Sequence, residues 1–192
     1  MTVRKLTGGL LWIVLCLLAL ASSPEGFFHK KKEPSGGEDY FKKLAIEKPE
    51  RKLPALNFEL EDLSGKRIAL KGLKGKVVFL NFWATWCIPC RQEMPTMEKL
   101  HQEFKERGLE VVAVNVKESE KDVRKFVEEL GLTFTILLDR SGNISEEYGA
   151  WSIPLTYIIN RKGEFVGKAA GSREWDGKTA TAFFRRLVDE KP

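Results

Sequence analysis

Residues 76–90, KVVFLNFWATWCIPC, decide how the rest of the chain is read. From Lys76 to Trp83 the run is nearly continuous apolar sequence rich in Val and Phe, the pattern of a central strand buried on both faces. Directly beyond it two cysteines stand three apart, as Cys87-Ile88-Pro89-Cys90, and the periodicity changes. Cys90, Glu93, Met97, Leu100 and Phe104 recur at spacings of 3, 4, 3 and 4 on one stripe of a helix over residues 87–107, which Gly108 ends. Glu93 falls where an apolar residue is expected. Pro95 removes one helical hydrogen bond and should kink the helix just beyond its first turns.

Outward from this unit the alternation repeats. A strand over residues 110–116 leads to a helix over 121–130, with Val123, Phe126, Val127 and Leu130 on one face and Gly131 as its stop, then to a strand over 134–138. Such alternation predicts a parallel α/β arrangement. A turn at 139–143 and a short helical piece at 145–148 follow. Residues 155–160 and 164–170 then flank Arg161-Lys162-Gly163 as an antiparallel hairpin, and a last helix over 176–189 buries Ala180, Phe183, Phe184, Leu187 and Val188. Upstream, 57–60 and 67–70 form a small β-hairpin around Asp62-Leu63-Ser64-Gly65. The predicted fold class is α/β, a mixed central sheet flanked by helices, with an N-terminal β-hairpin.

The ends set the domain plan. Arg4 and Lys5 precede an uninterrupted apolar stretch from Leu10 to Ala21, the layout of a secretory signal, and Ala19-Leu20-Ala21 before Ser22 suits cleavage. Residues 1–21 are read as a signal peptide or an uncleaved anchor, which places the domain outside the cytoplasm, in a periplasm or on the outer face of the cytoplasmic membrane. Cys16 follows Leu15 rather than a small residue, which argues against lipidation. Residues 22–52 are read as a flexible linker and 53–192 as one domain, in keeping with 192 residues of which 43% are hydrophobic. The net charge of +5 comes from 32 basic against 27 acidic residues spread along the chain, with one basic run at His29-Lys30-Lys31-Lys32. Without a broad basic face, nucleic acid is not an expected partner. The run suits a tether that could meet membrane headgroups.

Three chemistries compete for Cys87 and Cys90. Structural zinc needs four ligands, and the remaining candidates are Cys16 in the export segment, His29 in the linker and His101 mid-helix, so no metal is expected. Covalent haem needs a His directly after the second cysteine, where Arg91 stands. A structural disulfide closing so short a loop removes little unfolded-state entropy. Redox exchange is the favoured reading. Cys87 lies at a helix N-terminus, where unpaired N–H groups and the dipole stabilise a thiolate, so it is the expected nucleophile. Cys90, one turn inside, is the expected resolving thiol, and Pro89 stiffens the loop between them. A buried Glu93 would have a raised pKa and could exchange the proton that Cys90 takes up and gives back. Trp83 is expected in the core and Trp86 on an apolar rim around the dithiol, with Trp151 open between the two. No cofactor is expected beyond the cysteine pair itself.

Phe82-Trp83-Ala84-Thr85-Trp86-Cys87-Ile88-Pro89-Cys90 at a strand-to-helix turn, with Ile153-Pro154-Leu155-Thr156 opening a later strand, resembles the thioredoxin superfamily, and within it the exported TlpA/ResA-like branch. The resemblance covers residues 53–189. It implies a thioredoxin-like fold in which Pro154 is cis and faces the dithiol, and in which the backbone of Ile153 pairs with an extended substrate segment. Trp86, Ile88 and Pro89 complete the implied substrate surface. Thioredoxins carry a buried Asp six residues before the nucleophile, where this chain has Asn81, whereas the ResA-like branch carries a Glu at the position of Glu93. The βα unit over 110–138 is similar to the central insertion of that branch. The resemblance implies a reductase of client disulfides, for example those of apocytochrome c during cytochrome c maturation, kept reduced by a membrane thiol transporter of the CcdA or DsbD kind. A disulfide-introducing oxidase is the alternative. A peroxidase is disfavoured because Leu80 and Ala84 stand where peroxiredoxins have Pro and Thr or Ser, and a redox-silent binding module is the remaining reading.

Overall fold

The computed structural model of the protein describes residues 37–190. Along them run α1 (Gly37–Lys43), β1 (Glu59–Asp62), β2 (Arg67–Ala69), β3 (Val77–Trp83), α2 (Ile88–Phe104), β4 (Leu109–Val116), α3 (Glu120–Leu130), β5 (Thr135–Asp139), α4 (Asn143–Glu147), β6 (Leu155–Ile159), β7 (Phe165–Ala170) and α5 (Lys178–Asp189). The predicted export segment, residues 1–21, and the first part of the predicted linker lie outside the described residues.

The strands form one mixed seven-stranded sheet in the order β2-β1-β5-β4-β3-β6-β7. β3, β4 and β5 run parallel, while β1 pairs antiparallel with β5 and β6 antiparallel with both β3 and β7. Every residue of β3 is buried, because its neighbours cover both edges and both faces are packed. Val77, Phe79 and Trp83 join the core that holds Met94, Met97, Leu100 and Phe104 of α2, Phe126 of α3 and Phe183 and Phe184 of α5. Val78, Leu80 and Phe82 face a second core with Phe58, Leu70, Val112, Val114 and Tyr148. Each fully buried Met, Leu or Phe contributes roughly 1.5–3 kcal/mol relative to exposure. The stripe on α2 is therefore its main attachment to the sheet.

The glycine stops act as read. Gly108, at φ 92, closes the 3₁₀ turn Lys105–Arg107 that ends α2, and Gly131, at φ 62, ends α3. α2 runs through Pro95 without a break. Leu130 departs from expectation: it is 38% exposed, and Leu132 is buried instead. At the end of α3 the Leu132 N–H bonds the Val127 carbonyl and the Gly131 N–H bonds the Glu128 carbonyl, a Schellman turn that brings the residue after Gly131 back against the helix.

The linker predicted to reach residue 52 ends sooner, because the chain is already folded before residue 53. The rings of Tyr40 and Phe41 on α1 pack 6.0 and 5.4 Å from that of Phe183, and Leu44 and Ile46 are buried. Glu47 and Lys168 exchange two backbone hydrogen bonds at the free edge of β7. Gly167 permits this close approach, since a β-carbon there would lie 2.3 Å from Ile46 Cγ2. α1 also closes in a Schellman turn, with the Ile46 N–H on the Phe41 carbonyl and the Ala45 N–H on the Lys42 carbonyl. Its left-handed residue is Ala45, at φ 47, so the sequence carries no glycine to mark the helix end.

Candidate active site

The cysteines meet where β3 delivers the chain to the first turn of α2. Cys87 is the N-cap of α2, and its Sγ accepts a 3.3 Å hydrogen bond from the Cys90 N–H, one of the donors a helix leaves free at its start. Cys87 and Cys90 are joined in a disulfide with Sγ atoms 2.07 Å apart. Cys90 is fully buried and Cys87 nearly so, while Ile88 and Pro89 between them are exposed. When the bond opens, a Cys87 thiolate would lie against the N–H groups and the positive end of α2, which favours the anion.

β6 supplies the opposite wall. Its antiparallel register on β3 pairs Phe82 with Leu155 and Asn81 with Thr156, so residues 153 and 154 arrive beside the turn that follows β3. The Ile153-Pro154 peptide bond is cis, and the Ile153 carbonyl oxygen lies 3.6 Å from Cys87 Sγ. Pro154 is buried and Ile153 half-buried. Around this contact Trp86, Ile88 and Trp151 are 69%, 68% and 77% exposed, whereas Trp83 is in the core against Phe126. The tryptophan left open by the sequence thus belongs to the exposed set.

Glu93 lies one turn beyond Cys90 on the buried stripe and is 1% exposed. Its Oε1 accepts from Asn81 Nδ2 at 2.9 Å, and its Oε2 accepts from Trp175 Nε1 at 3.1 Å and the Arg173 N–H at 3.3 Å. Burial pushes its pKa up from 4.5 to about 7, against the opposing pull of those hydrogen bonds and of the Arg173 charge. A carboxyl group poised near neutrality can take or give a proton at working pH. Asn81 also donates to Thr156 Oγ1 at 3.0 Å, and its Oδ1 has no partner among the described residues.

The residues predicted for the exchange site are therefore gathered at this end of the sheet. Trp86, Ile88 and Pro89 are exposed beside the disulfide and Ile153 is half-buried against it, while Cys87, Cys90, Pro154 and Glu93 are buried. Trp175, Arg173 and Thr156, which complete the Glu93 network, were missed: they lie 75 to 82 positions from their partners and follow no periodic pattern that includes them. Among the described residues no group of three His, Cys, Asp or Glu side chains is placed to hold a metal ion. A crevice of about 180 Å³ lined by Leu70, Val78 and Ile159 opens at the other end of the sheet, where β3 begins.

A mixed sheet that presents a redox-active-type Cys-x-x-Cys disulfide at a helix N-terminus, faced by a cis-proline loop, defines a thioredoxin-like thiol-disulfide oxidoreductase. Residues 52–167 match the AhpC/TSA family. The chain is 37% identical over 169 residues to thiol-disulfide oxidoreductase ResA of Bacillus thuringiensis (strain Al Hakam), a match spanning 85% of this chain and 89% of that protein. It is 52% identical over 112 residues to ResA of Halalkalibacterium halodurans, spanning 58% of this chain and 64% of the relative. A crystal structure described as thiol:disulfide interchange protein DsbE from Chlorobium tepidum superposes with a TM-score of 0.67 at 31% identity, covering 72% of this chain and 98% of that one. The chain belongs to the ResA family of thiol-disulfide oxidoreductases.

Proposed function

We propose that this protein works outside the cytoplasm as a reductase of client disulfides, with Cys87 as nucleophile, Cys90 as resolving thiol and Glu93 as their proton partner. The observation that carries the reading is the pairing of an N-cap sulfur, 3.6 Å from the Ile153 carbonyl, with a buried carboxyl group whose pKa is about 7.

In the reduced protein the Cys87 thiolate attacks one sulfur of a client disulfide. That bond breaks, a Cys87–client mixed disulfide forms, and the departing client sulfur takes a proton from water. Glu93 accepts the Cys90 proton, directly or through water. The Cys90 thiolate then attacks Cys87 Sγ, the client leaves with both sulfurs reduced, and the Cys87-Cys90 disulfide remains. Two electrons have passed to the client. The backbone of Ile153 beside cis Pro154 would hold an extended client strand across the disulfide, and exposed Trp86, Ile88 and Pro89 would receive its apolar side chains. Clients of apocytochrome c type and a membrane donor of the CcdA or DsbD kind, which returns the electrons, suit the family and the N-terminal export segment.

The AhpC/TSA match does not favour a peroxidase, because Leu80 and Ala84 occupy the positions at which peroxiredoxins need Pro and Thr or Ser. Direction is tested by equilibrating the Cys87-Cys90 couple with glutathione or dithiothreitol. A reductase is expected at or below the roughly −270 mV of thioredoxin, and a value near the −120 mV of strong oxidants would overturn the proposal, with about 30 mV equal to 1.4 kcal/mol for two electrons.

A further inference from the structure

The turn between β3 and α2 is pinned by a residue from the loop that follows β4. Thr85 donates its N–H to Glu118 Oε2 at 2.7 Å and its Oγ1–H to Glu118 Oε1. Its carbonyl accepts from Arg91 Nη1 at 3.2 Å, and the Arg91 guanidinium lies over the Phe126 ring, 4.8 Å from its centroid. Glu118 Oε2 also accepts from Asn115 Nδ2 at 2.6 Å, and Asn115 is buried on β4 in register with Trp83, the last residue of β3. Three donors thus converge on one carboxylate, a group that only accepts. Glu118 reaches them because Lys117, just past β4, takes a left-handed conformation at φ 59, and the Lys117 N–H on the Asp139 carbonyl fixes that turn.

We propose that Glu118 is a positioning residue for disulfide exchange: through Thr85 it fixes the turn that presents Trp86 and Cys87 beside Ile153. This rests on the exchange reading of the dithiol and adds to it a determinant of client recognition. The turn is ordered before a client arrives, so its ordering cost is not charged against binding. Loss of the clamp should therefore raise KM for a protein disulfide more than it lowers kcat.

The test uses the full chain in nonionic detergent, with Glu118→Ala and Glu118→Gln. Glutamine can keep the network, its carbonyl accepting from Thr85 and Asn115 while its amide donates to the rotated Thr85 hydroxyl. With insulin as the disulfide substrate and dithiothreitol as reductant, Glu118→Ala should raise KM about tenfold with the larger part of the loss in KM, and Glu118→Gln should restore KM to within about threefold. Amide exchange at Thr85 in the oxidised protein should quicken at least about tenfold in Glu118→Ala and far less in Glu118→Gln. Wild-type KM and wild-type Thr85 protection in Glu118→Ala would overturn the proposal, as would a Gln variant as impaired as the Ala variant in both. If Glu118→Ala does not fold, Thr85→Val, which removes one of the three donors, should raise KM by a smaller factor; no change would overturn the clamp. If the wild-type protein fails to reduce insulin, the exchange reading fails on its own, and Thr85 protection still tests the clamp.

Discussion

Replacing Glu93 with Gln removes a titrating group from the core while leaving its hydrogen bonds within reach. The glutamine carbonyl can accept from Trp175 Nε1 and the Arg173 N–H as Oε2 does now, and its amide can donate to Asn81 Oδ1, which lacks a partner, once the Asn81 amide turns over. What disappears is the cost of ionising a buried carboxyl group. Burial raises the Glu93 pKa from 4.5 to about 7, so the folded protein holds this proton more tightly than the unfolded chain. The contribution to stability is complete below the unfolded value and is lost as pH rises through about 7. At ~1.36 kcal/mol per pKa unit, the shift amounts to about 3 kcal/mol. The stability of Glu93→Gln relative to wild type should therefore rise by about 3 kcal/mol between pH 4 and pH 8, or roughly 6–12 °C in Tm for a domain of this size. Urea denaturation of the oxidised full chain in detergent, followed by tryptophan fluorescence at a series of pH values, measures the difference. Wild-type and variant curves that move in parallel across the window would refute the reasoning, because Glu93 would then titrate alike in the folded and unfolded states.

Two further substitutions test the packing. Ala45→Gly should stabilise the protein by about 1 kcal/mol, because a β-carbon in the left-handed region costs roughly 1–2 kcal/mol and glycine returns part of that through its freer unfolded chain; a lower Tm would contradict the Schellman turn at the end of α1. Trp83→Ala should cost about 3–5 kcal/mol in a urea melt and Trp86→Ala no more than about 0.5 kcal/mol, since one is fully buried and the other 69% exposed. Equal losses would mean that the two tryptophans are not divided between core and rim.

Where the sequence was legible, the deciding information was local. The apolar run before Cys87 needs no distant partner to be recognised as a central strand, and the 3-4-3-4 stripe placed Glu93 inside before any contact was known. Gly108 and Gly131 stop their helices because both sit at positive φ, a demand that glycine meets and that composition reveals. α1 was hidden for the converse reason. Its turn uses Ala45, and it is two turns long, so most of its stability comes from Phe183 and the edge of β7 rather than from its own residues. The partners of Glu93 and the Glu118–Thr85 clamp join positions 12 to 82 and 33 residues apart, and no periodicity links a side chain to one so distant. Trp175 could be seen in sequence only as an aromatic residue in a polar loop.

The claim that Cys87 attacks and Cys90 resolves is tested most directly by trapping. The reduced Cys90→Ser protein is mixed with insulin, quenched by alkylation and mapped by mass spectrometry. The account predicts a mixed disulfide on Cys87 that persists for want of its resolving thiol and does not form in Cys87→Ser. An adduct of equal yield on Cys90 of the Cys87→Ser protein, or none on Cys87, would contradict it.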